Sequence, residues 1–200
     1  FCTSPSLSDD FARLLAIQVV DWLLDLEKSG IESELLSIIE IGPGEGTLSR
    51  DLIFAIAEIE PDLISKIELI LVEINLGMRE RQEKVVNNLK SINCHCRWSN
   101  IQDLMLSPVS GVVIANEVLD TLPVERLVFS DNKVFRQGVS LKKNNDDYFL
   151  DFVDLEPSAA IMKFLHESKR LLKIELPPKG ICDRWVTEWH CDIPSWFEKL

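Results

Sequence analysis

Leu35-Leu36-Ser37-Ile38-Ile39-Glu40-Ile41-Gly42-Pro43-Gly44-Glu45-Gly46-Thr47-Leu48 is the stretch that decides the fold. Residues 35–41 form a short apolar, β-branched run that breaks into glycines. That pattern predicts a buried strand running into a tight turn. Residues 47–59 follow with Leu48, Leu52, Ile53, Ile56 and Ala57 at helical spacing, and Pro61 stops them. Glycines let a backbone approach a ligand without a Cβ clash, and the helix behind them offers free N–H groups and a positive dipole end.

The same alternation continues on both sides. Residues 8–29 predict a helix capped by Ser8 and ended by Gly30. Its stripe is Phe11, Leu14, Leu15, Gln18, Val19, Trp22, Leu23 and Leu26. Residues 67–74 predict a second buried strand, 76–89 a second helix after the loop, 94–98 a third strand and 111–115 a fourth. Strands alternating with helices imply right-handed crossovers and a parallel sheet with helices on both faces. After Asp120 the pattern changes. Residues 124–129, 133–141 and 148–153 predict a strand meander, with a hairpin turn at Asp131-Asn132 and a polar loop over 142–147. Ser158 caps a helix reaching about Lys173, and Pro177-Pro178 breaks the chain. Trp185, Trp189 and Trp196 then precede a closing helical segment, and read as core. The expected division is a ligand-binding core over 1–123 and a meander with helices over 124–200.

Composition bounds the partners. The chain has 200 residues, 46% of them hydrophobic, with 21 Lys and Arg against 33 Asp and Glu, a net charge of −12. Such a field repels phosphate backbones, so nucleic acid is not the expected partner; a basic protein segment or a small cation suits it better. No apolar run reaches a membrane span. Five cysteines, without regular spacing, read as reduced thiols. Cys94-His95-Cys96 lacks a second ligand pair at zinc-finger spacing, so ordinary strand cysteines and no metal are expected. The sequence sets no oligomeric state.

Four polar signals follow four predicted strands. In the first, glycines stand at the first, third and fifth positions (Gly42, Gly44, Gly46), and Thr47 replaces the glycine of a dinucleotide fingerprint. That spacing suits S-adenosylmethionine (SAM), which presents a carboxylate and a ribose instead of a pyrophosphate, and acidic Glu40 suits its amino group. Glu73 ends the second strand, where a carboxylate can accept both ribose hydroxyls; a helix cap or surface acid is the bland alternative. After the third strand, Asn100 or Asp103 can meet an adenine edge and Ile101 can cover the ring. After the fourth, Asn116-Glu117-Val118-Leu119-Asp120 suggests a reacting-group site, or else a helix cap by Asn116 with Glu117 in its first turn.

These residues resemble the MidA-like methyltransferases, a family that includes a mitochondrial arginine methyltransferase assisting respiratory complex I assembly. The matching stretches are Phe1-Cys2-Thr3-Ser4-Pro5-Ser6-Leu7-Ser8, Glu40 to Gly46 with Leu48 and Asp51-Leu52, Val72-Glu73 with Arg79 and Gln82, Trp98, and Asn116 to Val124. The resemblance implies a class I, Rossmann-like methyltransferase sheet with an inserted substrate-side subdomain. It implies SAM held by Gly42–Gly46, Glu73 and Asn100–Ile101, with Thr3 nearby. It also implies symmetric dimethylation of an arginine in a respiratory dehydrogenase subunit, in the mitochondrial matrix of a eukaryote or the cytoplasm of a bacterium. The family continues past both ends of this chain, so the chain is expected to be part of a longer protein. Guanidinium is a poor nucleophile, and a carboxylate bonded to it draws positive charge away from the attacking nitrogen. Glu117 is the first candidate for that role and Asp120 the second, with Asn116 offering a carbonyl to the attacking nitrogen. The rival readings are a non-catalytic assembly factor, a methyltransferase for a small amine, and an NAD enzyme using Glu73 on the ribose.

Overall fold

The computed structural model describes residues 8–30, 35–107, 109–145, 147–181 and 183–199. The chain divides into two compact units between Asp120 and Thr121.

The first unit runs α1 (Asp10–Lys28), β1 (Leu36–Ile41), α2 (Thr47–Ile59), β2 (Ile67–Val72), α3 (Leu76–Val86), β3 (His95–Ser99), α4 (Ile101–Leu106) and β4 (Gly111–Ile114). Its four strands form a parallel sheet in the order β3-β2-β1-β4. The chain steps outward from β1 to β3, then returns to the far side of β1. The strand order therefore reverses between β1 and β4, where open α/β sheets bind ligands beyond their carboxyl ends. Right-handed crossovers put α2 and α3 on one face and α4 on the other.

Every residue of β1 is buried. A strand covered on both faces must read as one apolar run, which is why residues 35–41 are legible. Its Ser37 hydroxyl is satisfied by Glu68 Oε1 at 3.0 Å. Ile38, Leu52, Ile53, Ile67 and Leu69 are fully buried, each stabilising the unit by roughly 1.5–3 kcal/mol relative to exposure. Gly111 opens β4 because nothing larger fits. A Cβ there would lie 1.8 Å from the Ser37 carbonyl oxygen.

Helix α1 is rotated from its predicted stripe. Ala12, Ala16, Val19, Val20 and Leu23 are its buried residues, while Leu14, Gln18 and Trp22 are exposed. Small alanines let α1 lie close to α2, and a stripe drawn through the largest side chains missed them. Ser8 Oγ accepts from Asp10 N at 3.2 Å, but Asp9 holds the cap position. Gly30 follows the helix at φ +74°, as a helix-ending glycine should. The predicted second helix of 76–89 is α-helical only to Val86, and a 3₁₀ segment continues it through Ile92.

The second unit is antiparallel. It contains β5 (Glu125–Ser130), β6 (Lys133–Asn144), β7 (Asp147–Leu155), α5 (Ala159–Leu172), β8 (Trp185–Trp189) and α6 (Ile193–Phe197), with strand order β7-β6-β5-β8. Asp131 and Asn132 make the β5–β6 turn with φ of +51° and +61°, the left-handed pair that matches hairpin twist. The polar loop expected over 142–147 is mostly ladder, since Lys142, Lys143 and Asn144 pair with Phe149, Tyr148 and Asp147. Ser158 Oγ accepts from Ile161 N at 3.2 Å and caps α5. Strand β8 is absent from the sequence-based reading. Its Trp185 and Trp189 pack on Phe129 and Phe164, each at 5.6 Å between ring centroids.

Candidate active site

The four polar signals all lie at the carboxyl ends of the first unit's strands, and the register shows how close those ends are. Ile41 pairs with Val72, Val72 with Ser99, and Glu40 with Ile114. Adjacent strands lie about 4.8 Å apart, so the four loops leave the sheet along a rim of about 14 Å.

Direct contacts stitch that rim together. Gly42 N donates to the Val72 carbonyl at 3.1 Å. Gly42, Gly44 and Gly46 have φ of +63°, +54° and +84°, the left-handed region where a side chain is strained. A Cβ on Gly44 would meet nothing within 4 Å, so its backbone faces open space. Gly46 stands at the start of the 13-residue α2 with no side-chain cap; the Ser49 N–H of the first turn bonds Glu40, and the positive end of the helix still favours an acceptor there. At Gly42 a Cβ would come 3.2 Å from Val118 Cγ2, which places the loop after β4 against the glycine turn.

Glu40 is 4% exposed. Burial pushes its carboxyl up to about 7, against the pull of hydrogen bonds from Ser49. The Ser49 hydroxyl donates to Glu40 Oε2, so the acid sits behind the glycine turn with one partner. Glu73 is half-buried. Its Oε1 accepts from Asn75 N at 2.8 Å and its Oε2 from Gln82 Nε2 at 3.2 Å. A carboxylate has about four lone-pair positions, so each oxygen keeps room for another donor. Asn75, and not Glu73, caps α3, accepting from Gly77 N and Met78 N; Glu73 is free of the capping role weighed as its alternative.

Asn100 caps α4. Its Oδ1 accepts from Asp103 N at 2.8 Å and its Nδ2 donates to Asp103 Oδ2 at 2.7 Å. The two adenine-edge candidates are therefore bonded to each other, with Ile101 beside them in the first turn. No helix follows Asn116. Glu117 instead adopts φ +51° in an exposed turn, and a short 3₁₀ turn carries Asp120. A left-handed glutamate is sparsely populated and costs on the order of 1 kcal/mol or more, and it replaces the helix cap that the sequence allowed. Thr3 lies outside the described residues.

Three residues at the rim were missed as functional by reading chemistry from motifs. Arg79 and Gln82 had appeared only as points of resemblance, and Ser49 not at all. Arg79 Nε donates to the Glu73 carbonyl at 2.6 Å and Arg79 Nη2 to the Ser99 carbonyl at 3.5 Å, tying the β2 and β3 ends. Their signal was a polar pair at helical i,i+3 spacing facing a strand end.

Burial pushes the Cys94 and Cys96 thiols up to about 11 and 12, so both stay protonated and poor ligands. Among the described residues no group of three or more His, Cys, Asp and Glu is placed to hold a metal. No described helix is long and apolar enough to cross a membrane. A cavity of about 700 Å³ in the second unit is lined by residues such as Phe129, Met162, Leu165 and Trp189, and by none of the candidate residues.

A sheet that reverses at β1, a glycine turn before a helix start without a side-chain cap and an acid ending β2 are the features of a nucleoside-binding α/β domain. The sequence pattern of the family described as "Putative S-adenosyl-L-methionine-dependent methyltransferase" matches residues 14–200, and the chain belongs to that family. Two mitochondrial protein arginine methyltransferases are similar. NDUFAF7 of Xenopus tropicalis is 27% identical over 81% of this chain and 46% of its own length. The NDUFAF7 homolog of Drosophila melanogaster is 26% identical over 66% and 33%. The chain thus spans less than half of these relatives. A crystal structure of a COG1565 superfamily member from Burkholderia thailandensis, bound to S-adenosyl-homocysteine, superposes with a TM-score of 0.72 at 26% identity, over 100% of this chain and 45% of that one. A native structure of a COG1565 superfamily protein from the same organism gives 0.69 at 27%, over 98% and 46%. The fold is that of a Rossmann-like methyltransferase, and the family's cofactor is SAM. The open space beside Gly44, the helix start without a side-chain cap and the two half-satisfied Glu73 oxygens fit that cofactor.

Proposed function

We propose that this chain carries the cofactor half of a SAM-dependent protein arginine N-methyltransferase. The observation that carries the reading is the continuous rim from Val118 through Gly42 and Gly44 to Glu73 and Ser99, stitched by direct contacts. In this reading Gly42, Gly44, Gly46 and the α2 start hold the amino-acid end, with Glu40 toward its ammonium. Glu73 accepts the ribose hydroxyls. Asn100 and Ile101 flank the adenine, and Thr3 closes over the cofactor. When bound, SAM supplies a methyl group made electrophilic by the sulfonium.

Glu117 and Asp120 face the other reactant. Their carboxylates hydrogen-bond a guanidinium and hold its positive charge away from the nitrogen that attacks, while the Asn116 carbonyl orients that nitrogen. Approach and orientation of this kind are worth roughly 7–11 kcal/mol in favourable cases. Methyl transfer from the bound sulfonium to that nitrogen would leave the nitrogen with a proton to lose, and Glu117, Asp120 or water would accept it. The relatives' names motivate arginine as the substrate and the mitochondrion as the compartment. A segment of a respiratory NADH dehydrogenase subunit is the protein partner put forward.

Methyl-labelled SAM, incubated with the full-length protein and arginine peptides from that dehydrogenase, tests the reading. Label on arginine is expected, and Glu117→Gln should bind S-adenosylhomocysteine normally yet transfer at least about 100-fold more slowly. Binding without transfer to any peptide would favour a non-catalytic assembly factor. Transfer only to free amines would favour a small-molecule enzyme.

A further inference from the structure

Gln82 is fully buried on α3, and its amide is bonded at both ends. Nε2 donates to the Gly44 carbonyl at 2.7 Å and to Glu73 Oε2 at 3.2 Å, while Oε1 accepts from Trp98 Nε1 at 2.8 Å. These partners fix which way the amide points. A carbonyl and a carboxylate only accept and an indole N–H only donates, so the flipped amide would face three mismatches. The chain behind it is also tightly placed. A Cβ on Gly46 would sit 3.5 Å from Gln82 Cγ and 3.6 Å from its Cα, so α3 lies directly behind the glycine turn.

We propose that Gln82 is the positioning residue of the cofactor site. Trp98 orients its amide, and the amide then aims the Glu73 carboxylate at the ribose and holds the Gly44 turn. This rests on the reading that Glu73 accepts the ribose hydroxyls. Glu73 has three side-chain torsions and is only half-buried. Its Oε1 is held by a local backbone N–H, and Gln82 supplies the second point that stops the carboxylate rotating. A carboxylate held at two points presents its remaining lone pairs in one plane, as two neighbouring hydroxyls require. Gly44 and Glu73 leave different strands, so a donor shared between them also fixes the spacing between the amino-acid end and the ribose end of the site.

The test is a calorimetric comparison on the full-length protein. Wild type, Gln82→Met and Trp98→Phe are each titrated with S-adenosylhomocysteine and with its 2′-deoxy and 3′-deoxy analogues. In wild type, loss of a hydroxyl should weaken binding roughly 10- to 100-fold, as for a hydrogen bond to a charged group. Gln82→Met keeps the side chain's length and loses both donors. It should weaken S-adenosylhomocysteine at least about 10-fold and the deoxy analogues much less, so that discrimination collapses. Trp98→Phe leaves Gln82 in place but unlocks its carbonyl, and should reduce discrimination by a smaller factor; it also decides the matter if Gln82→Met does not fold. Equal weakening of all three ligands would mean a merely structural role and would overturn the proposal, as would discrimination unchanged in both variants. If wild type itself does not discriminate, the ribose reading of Glu73 fails and the proposal falls with it. If wild type discriminates and both variants do so equally well, only the proposal fails.

Discussion

The parallel sheet of the first unit and the antiparallel sheet of the second solve the same burial problem differently. Strand β1 is covered on both faces, whereas β6 and β7 carry Val139, Leu141, Leu150 and Phe152 largely exposed. A strand with two covered faces tolerates almost nothing but apolar residues and small satisfied polar ones. A ribbon with one open face tolerates charge, length and slippage. Tolerance to substitution and legibility in sequence should therefore differ between the units, and both can be tested.

The largest expected difference is between two glycines. Gly111→Ala puts a Cβ 1.8 Å from the Ser37 carbonyl, a backbone atom that cannot move without breaking the β1–β4 ladder. The loss should exceed about 3 kcal/mol. Gly138→Ala in β6 meets the Leu155 Cδ1 at 2.7 Å, the tip of a flexible side chain, and should cost about 1 kcal/mol or less. Urea unfolding of both variants measures this, and equal losses would erase the contrast between the sheets.

Next comes the pH dependence, which has opposite signs for Glu40 and for two acids of the second unit. Glu40 has a folded value near 7 against an ordinary 4.5. The folded state therefore binds the extra proton, and stability from this group is full below about 4.5 and lost as pH rises through 7. Glu40→Gln should recover roughly 2–3 kcal/mol at pH 8 in the ligand-free protein, and little at pH 4. In the second unit, the Ser130 hydroxyl holds Asp183 below its ordinary value and Lys142 does the same for Asp151. Their contribution is lost as pH falls. Thermal melts from pH 4 to 8 on wild type and Glu40→Gln separate these; parallel curves would contradict the buried acid. Because an ammonium ligand favours the ionised acid, binding of S-adenosylhomocysteine should strengthen as pH rises through 7.

The smallest effects belong to the helix caps. Asn100→Ala and Ser158→Ala each remove an oxygen that accepts a first-turn N–H, of Asp103 and Ile161. Each should cost about 1 kcal/mol in denaturant unfolding. The Asn100 change alone should also weaken cofactor binding, and a matching loss from Ser158→Ala would blur the distinction between the units.

The same physics decided what could be read from sequence. The strands read over 35–41 and 67–74, the second of which ends at Val72, stood out because burial on both faces forbids most polar alternatives, and the glycines stood out because positive φ excludes most side chains. The rim residues Glu73 and Asn116 followed, since a polar residue ending an apolar strand is conspicuous. Helix α1 was misrotated because Ala12 and Ala16, which carry no strong apolar signal, belong to its buried face beside Val19, Val20 and Leu23. Lys142, Lys143 and Asn144 read as loop because an exposed ladder needs no apolar pattern, and β8 was hidden in a tryptophan-bearing segment with no clear alternation. Gln82 was invisible as chemistry because its three partners come from Gly44, Glu73 and Trp98, which only tertiary packing brings together.

A single titration tests the shared rim most directly: calorimetry of S-adenosylhomocysteine against the wild-type protein and Glu73→Ala. Binding in wild type with at least about a 100-fold loss in the variant is expected, because two hydroxyl bonds to a charged acceptor disappear. Undiminished affinity in Glu73→Ala would mean that the nucleoside does not lie along these four strand ends.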